Sequence, residues 1–214
     1  MLFRSRRPTA DELHASIMAV ADDEHGDLRD VRDAIDLFLD HHANDPRAGR
    51  IRDLKRTLEL DILERRARRR LRGDKDVEPI ERDYRAAMAE EENGPSACLR
   101  ALEALVAAYG TTSGDDAHAR WLDLARRQVE RLRPRAADER QDDLKRIADL
   151  LAEAKSFADR AGIANDESAR RHFRALERGR LDTVVKVYEK RPHAAEAVAS
   201  ARRALADLDR NPDG

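Results

Sequence analysis

Apolar residues recur at every third or fourth position along almost the whole chain, and this rhythm decides what the chain can fold into. Leu144, Ile147, Leu151, Ala154, Ala158 and Ala161 keep it most strictly, and Leu28, Val31, Ile35, Phe38 and His42 keep it too. Steps of three and four gather side chains on one face of an α-helix, whereas a half-buried strand needs strict alternation. The nearest approach to a strand, residues 184–187, lies among neighbours that hold the helical period. The expected fold class is all-α. Charged residues make up 40% of the chain and aromatics 4%, a balance that would signal disorder if the apolar residues were not periodic.

Breakers divide the sequence into about ten amphipathic helices. The first opens at "TADE", where Thr9 and Glu12 have capping-box spacing. The second carries the stripe that ends at His42. Asp45 and Pro46 suit the start of a third helix running from Pro46 to Arg72 and stopped by Gly73. Pro79, Pro95 and Pro192 mark further starts. "RPRAADERQDD" (133–143) either is the most linker-like stretch or simply leads into the next helix; a helical-repeat region is expected at 6–133, with 134–214 continuing it or forming a second subdomain. Gly162 closes the helix that follows, and Gly179 breaks the next. The codons ATG-CTC-TTC-CGA-TCT would encode residues 1–5, "MLFRS", a string that looks like the end of a sequencing adaptor. These residues are expected to be an artefactual start on a piece of a longer protein.

Three segments align internally: 34–54, 98–124 and 180–205. In each a bulky residue follows an aliphatic one by seven positions, His42 after Ile35, Tyr109 after Leu102 and Tyr188 after Leu181. A break comes next, with Pro46 and Pro192 four residues on in the first and third copies. The chain then enters a new helix through Ala48, Ala117 or Ala194 and reaches an apolar anchor, Ile51, Trp121 or Val198. Each hairpin alone would leave an apolar face wet, so neighbours must stack. This pattern resembles tetratricopeptide-type repeats, whose hairpins join through a Tyr- and Pro-marked turn. The resemblance implies antiparallel hairpins stacked as an irregular solenoid that binds protein or peptide. Two departures stand against it: equivalent positions are 67 and 79 residues apart rather than 34, and the Trp–Leu–Gly–Tyr pattern of the family's first helix is absent. The Arg- and Ala-rich segments are also similar in style to helical regions that accompany kinase or membrane-spanning segments in large bacterial proteins.

Chemistry-bearing motifs are sparse. His41 and His42 are adjacent and point in different directions on a helix. "HAAE" (His193, Glu196) and "DDAH" (Asp115, Asp116, His118) lack the complementary pair that a metal site needs. "GTTSG" (110–114) lacks the Lys-Ser/Thr and preceding strand of a phosphate loop. Cys98, the lone cysteine, falls on an apolar stripe with Leu102 and Tyr109, where a buried thiol is the ordinary outcome. No catalytic residue, cofactor, metal or small-molecule substrate is expected. No run of 18 apolar residues and no apolar leader is present, which favours the cytoplasm.

The densest charge is "RRARRRLR", with Arg65, Arg66, Arg68, Arg69, Arg70 and Arg72. Residues 64–75 carry a local charge of +5 in a chain of formal net charge −2, so the remainder carries −7. Leu63, Ala67 and Leu71 continue an apolar stripe through the run, and cations are favoured at a helix C-terminus. The main expectation is therefore a non-catalytic helical-repeat scaffold for protein–protein interaction, with His42, Pro46, Tyr109, Tyr188 and Pro192 as its corners. The alternative is an Arg-rich helix that docks on nucleic acid or anionic membrane, with the repeats as a rigid mount.

Overall fold

The structure, a computed structural model, describes residues 7–69, 77–110 and 116–210. Within them the fold is all-α, with no strand. Eight α-helices follow in order: α1 (Ala10–Ala21), α2 (Arg32–His41), α3 (Ala48–Arg69), α4 (Pro79–Ala89), α5 (Pro95–Tyr109), α6 (Asp116–Ile163), α7 (Glu167–Tyr188) and α8 (Ala195–Arg210). Short 3-10 turns occupy Leu28–Val31, Glu90–Asn93 and Pro192–Ala194.

Local chemistry fixes the helix starts. Thr9 closes a full capping box on α1: its Oγ1 accepts from the Glu12 amide at 3.3 Å, and its own amide donates to the Glu12 carboxylate at 2.7 Å. Pro79 and Pro95 open α4 and α5 as first-turn prolines. The third helix starts later than its Pro46 suggests. Pro46 lies in the turn, the Asp45 carboxylate takes the Arg47 amide at 2.9 Å, and the helix proper begins at Ala48. Residues 70–73, which hold the expected end of that helix, lie outside the described residues.

Among the described residues there are eight helices rather than about ten, because the chain stays helical through residues 133–143 and through Gly179. Residues 133–143 lie inside α6, a single helix of 48 residues with Pro134 in its interior. An interior proline removes one helical bond and crowds the preceding turn, at about 3 kcal/mol. Its surroundings oppose that: Arg, Ala, Glu and Gln are strong helix formers, and Leu132 and Ala136 are buried on either side of it. Gly179 likewise lies inside α7. Glycine weakens a helix by only about 1 kcal/mol, and Leu181 and Val184 just beyond it are buried.

The chain divides into two compact units, one within residues 1–92 and 100–129, the other within 93–99 and 130–214. In the first, Leu13 and Ile17 of α1 pack with Ile35 and Phe38 of α2 and with Ala48, Ile51 and Leu58 of α3. Phe38 and Ile51 are fully enclosed, each burial supplying about 2–3 kcal/mol. Tyr84 of α4 stacks on Trp121 of α6, ring centroids 5.3 Å apart. In the second unit, Ile147 and Ala154 of α6 meet Leu181, Val184 and Tyr188 of α7 and Val198 and Ala201 of α8.

Candidate functional site

Helix geometry sorts the arginines of α3. At 100° per residue, positions 62, 65, 66 and 69 share one side and 64, 67 and 68 the opposite one. On the second side Glu64, itself buried, accepts from Arg68 at 2.7 Å. On the first, Arg65 approaches Asp27 at 3.8 Å. Asp27 is already held by Arg29, whose Nε donates to both carboxylate oxygens at 2.8 and 2.9 Å and whose amide donates at 3.0 Å. These bonds keep the Asp27 carboxyl well below the usual carboxylate range. Arg66 and Arg69 make no ion pair among the described residues, while Arg70 and Arg72 lie outside those residues.

These arginines face a hollow of about 330 Å³, lined by Arg29, Ile62, Arg65, Arg66 and Arg69 with no acid among the lining residues. Ile62 is 38% exposed and forms its apolar floor. A second hollow, about 350 Å³, shares Ile62 and Arg66 with the first. There the charge is balanced: Arg32, Arg66 and Arg120 stand against Glu59, Glu78 and Glu81, beside the buried Trp121.

The opposite side of α3 forms a larger groove with α4, about 550 Å³. Ala67, Tyr84, Met88 and Ala89 give it an apolar lining, and Glu64, Arg68, Arg85, Glu91 and Glu92 complete it. Arg85 is paired to Glu81 one turn back on α4.

The expected corner residues all end or follow helices. His42 caps α2, its amide bonded to the Phe38 carbonyl at 2.8 Å and its ring 5.6 Å from the Phe38 ring. Tyr109 ends α5, stacks on His118 at 5.4 Å and donates its hydroxyl to Asp83 at 2.6 Å. That bond raises the Tyr109 hydroxyl above its usual range. Tyr188 ends α7 inside the apolar core, and its burial raises its hydroxyl as well. Pro46 lies in the α2–α3 turn, and Pro192 opens the 3-10 turn before α8. The anchors Ile51, Trp121 and Val198 are all buried.

One polar network had no signal in the sequence. In the second unit Glu139 of α6 accepts the Ser96 amide at 2.9 Å, so a side chain from α6 supplies a cap for α5. The same carboxylate pairs with Arg191, which also approaches Asp143 at 3.5 Å. His193 Nε2 lies 2.9 Å from Asp143. That contact, rather than Glu196 in "HAAE", is where this histidine finds its acid. Burial pushes the Glu139 carboxyl up, but the hydrogen bonds from Ser96 and Arg191 outweigh it and leave the group below its ordinary value. Gly94, at φ +106°, lies where an added Cβ would strike the Glu139 carboxylate. Cys98 is fully buried. Among the described residues, no three His, Cys, Asp or Glu converge as metal ligands, and no helix is long and apolar enough to cross a membrane. Comparison with protein families, curated proteins and solved structures finds no match.

Proposed function

We propose that this chain is a non-catalytic scaffold of stacked helical hairpins, similar to tetratricopeptide arrays, that binds a partner protein through the groove between α3 and α4. The single observation that carries the reading is the groove itself: an apolar lining of Ala67, Tyr84, Met88 and Ala89 within 550 Å³, ringed by charge. Such a surface suits an apolar anchor on a partner helix or peptide. The small residues Ala67 and Ala89 leave room for the anchor, and the intrahelical pairs Glu64–Arg68 and Glu81–Arg85 hold the walls. The placement of His42, Tyr109 and Tyr188 at helix ends, each followed by a buried anchor, supports the hairpin reading.

The test uses Ala89→Arg, which fills the groove from an exposed position and keeps a strong helix former. Helical peptides selected from a displayed library against the wild-type chain should lose binding to this variant and keep it to Arg66→Gln/Arg69→Gln. Selected peptides indifferent to Ala89→Arg, or turnover of a metabolite by the purified chain, would contradict the proposal.

A further inference from the structure

On the other side of α3, the two hollows that meet at Ile62 and Arg66 differ in charge, and that difference identifies a ligand. The first is lined by four guanidinium groups and one aliphatic side chain. Asp27, the acid that contacts these arginines among the described residues, is engaged by Arg29 and approached by Arg65. Arg66 and Arg69 therefore stand one turn apart with no anion between them among the described residues. Guanidinium groups bind carboxylates in a planar, two-pronged manner, as Arg29 and Asp27 do a few ångströms away. The second hollow presents Glu59, Glu78 and Glu81 among its arginines.

A ligand of uniform negative charge fits the first hollow but gains nothing from the balanced charge of the second. Nucleic acid carries a phosphate at every step, and an anionic bilayer presents charge over its whole surface, so both would bring negative charge onto Glu59 and Glu78. The apolar floor at Ile62 also has no part in holding a phosphate track, and no exposed aromatic lines either hollow to stack a base. What fits is a ligand whose charge changes along its length. We propose that this trough docks an extended acidic–apolar peptide segment: one or two carboxylates on Arg66 and Arg69, an aliphatic side chain on Ile62, and a neutral or basic continuation past Glu59 and Glu78. The site is separate from the α3–α4 groove and would stand if that groove bound nothing.

The experiment is fluorescence anisotropy with defined probes. The first is a short labelled peptide with Asp-Glu followed by Leu and a Lys-Ser-Gly tail. Its controls carry Asn-Gln for the acids, or Ser for the Leu. Single-stranded oligothymidine and phosphatidylserine vesicles serve as polyanion arms. The Asp-Glu-Leu peptide should bind the intact chain. Its affinity should drop about tenfold or more with Asn-Gln, with Arg66→Gln/Arg69→Gln, and with Ile62→Asn. It should be unchanged in Ala89→Arg. Circular dichroism checks that each variant keeps the wild-type helix content. Equal binding of the Asn-Gln peptide, or full binding to the double arginine variant, would overturn the proposal. So would tighter binding of the oligonucleotide or vesicles that the same double variant removes.

Discussion

The second unit and α3 of the first use arginine in opposite ways. Arg191 is brought within reach of two acids and, through Glu139, helps secure the start of α5. Arg66 and Arg69 share one face of α3 and make no ion pair among the described residues, although Arg66 borders the glutamates of the second hollow. The residue type is the same, so sequence composition cannot separate the two uses; the availability of a carboxylate across the packing decides. A paired arginine that also organises backbone amides serves the fold. An arginine pair with no ion pair among the described residues adds like-charge repulsion to the folded state, which the proposed acidic peptide would relieve.

Removing the acid at the centre of the network should break the comparison most visibly. Glu139→Ala withdraws the Ser96 amide's acceptor and leaves Arg191 with Asp143 alone. The carboxylate is only 15% exposed, so the expected loss is about 2–3 kcal/mol of unfolding free energy, read by urea denaturation. An unchanged midpoint would reduce this network to a surface ornament like any other ion pair.

Acid should expose the same dependence. The Glu139 carboxyl lies below its ordinary value of 4.5 in the folded chain. Its contribution is therefore fully present above that value and is lost as pH falls through the lowered folded-state value. Asp27 and Asp45, each held low by hydrogen bonds from an arginine two residues on, lose stability in the same direction. Melting temperature should fall on going from about pH 5 to about pH 3, and fall less in Glu139→Gln. Identical acid profiles for the two proteins would remove Glu139 from the explanation.

The smallest expected effect concerns a residue outside both arginine sets. Gly179 lies within α7 with open space where a Cβ would stand. Gly179→Ala should stabilise the second unit by about 0.5–1 kcal/mol, measured by thermal unfolding, and should leave peptide binding at α3 untouched.

How much of this was legible depends on sequence distance. The helical period identified the fold class, the Thr9–Glu12 box marked the start of α1, and Pro79 and Pro95 marked two more starts. All of these are interactions within one turn. Pro134 and Gly179 misled because single-residue propensity is weak against strong helix formers and buried neighbours on both sides. The Glu139 network left no trace, since its partners Ser96 and Arg191 lie 43 and 52 residues away. The arginine run was conspicuous as composition, but which of its members are paired depended on Asp27, distant in sequence and supplied by the turn before α2. The α3–α4 groove joins Ala67 and Met88 across residues that periodicity alone does not align.

The most direct measurement is a side-by-side thermal unfolding of Arg191→Gln and Arg66→Gln/Arg69→Gln. If the first arginine holds the fold and the second pair is kept for a ligand, Arg191→Gln lowers the melting temperature by several degrees, about the shift that 1–2 kcal/mol produces in a chain of this size. The double variant then melts at or slightly above the wild-type temperature. A double variant destabilised as much as Arg191→Gln would contradict the account, because Arg66 and Arg69 would then be part of the fold.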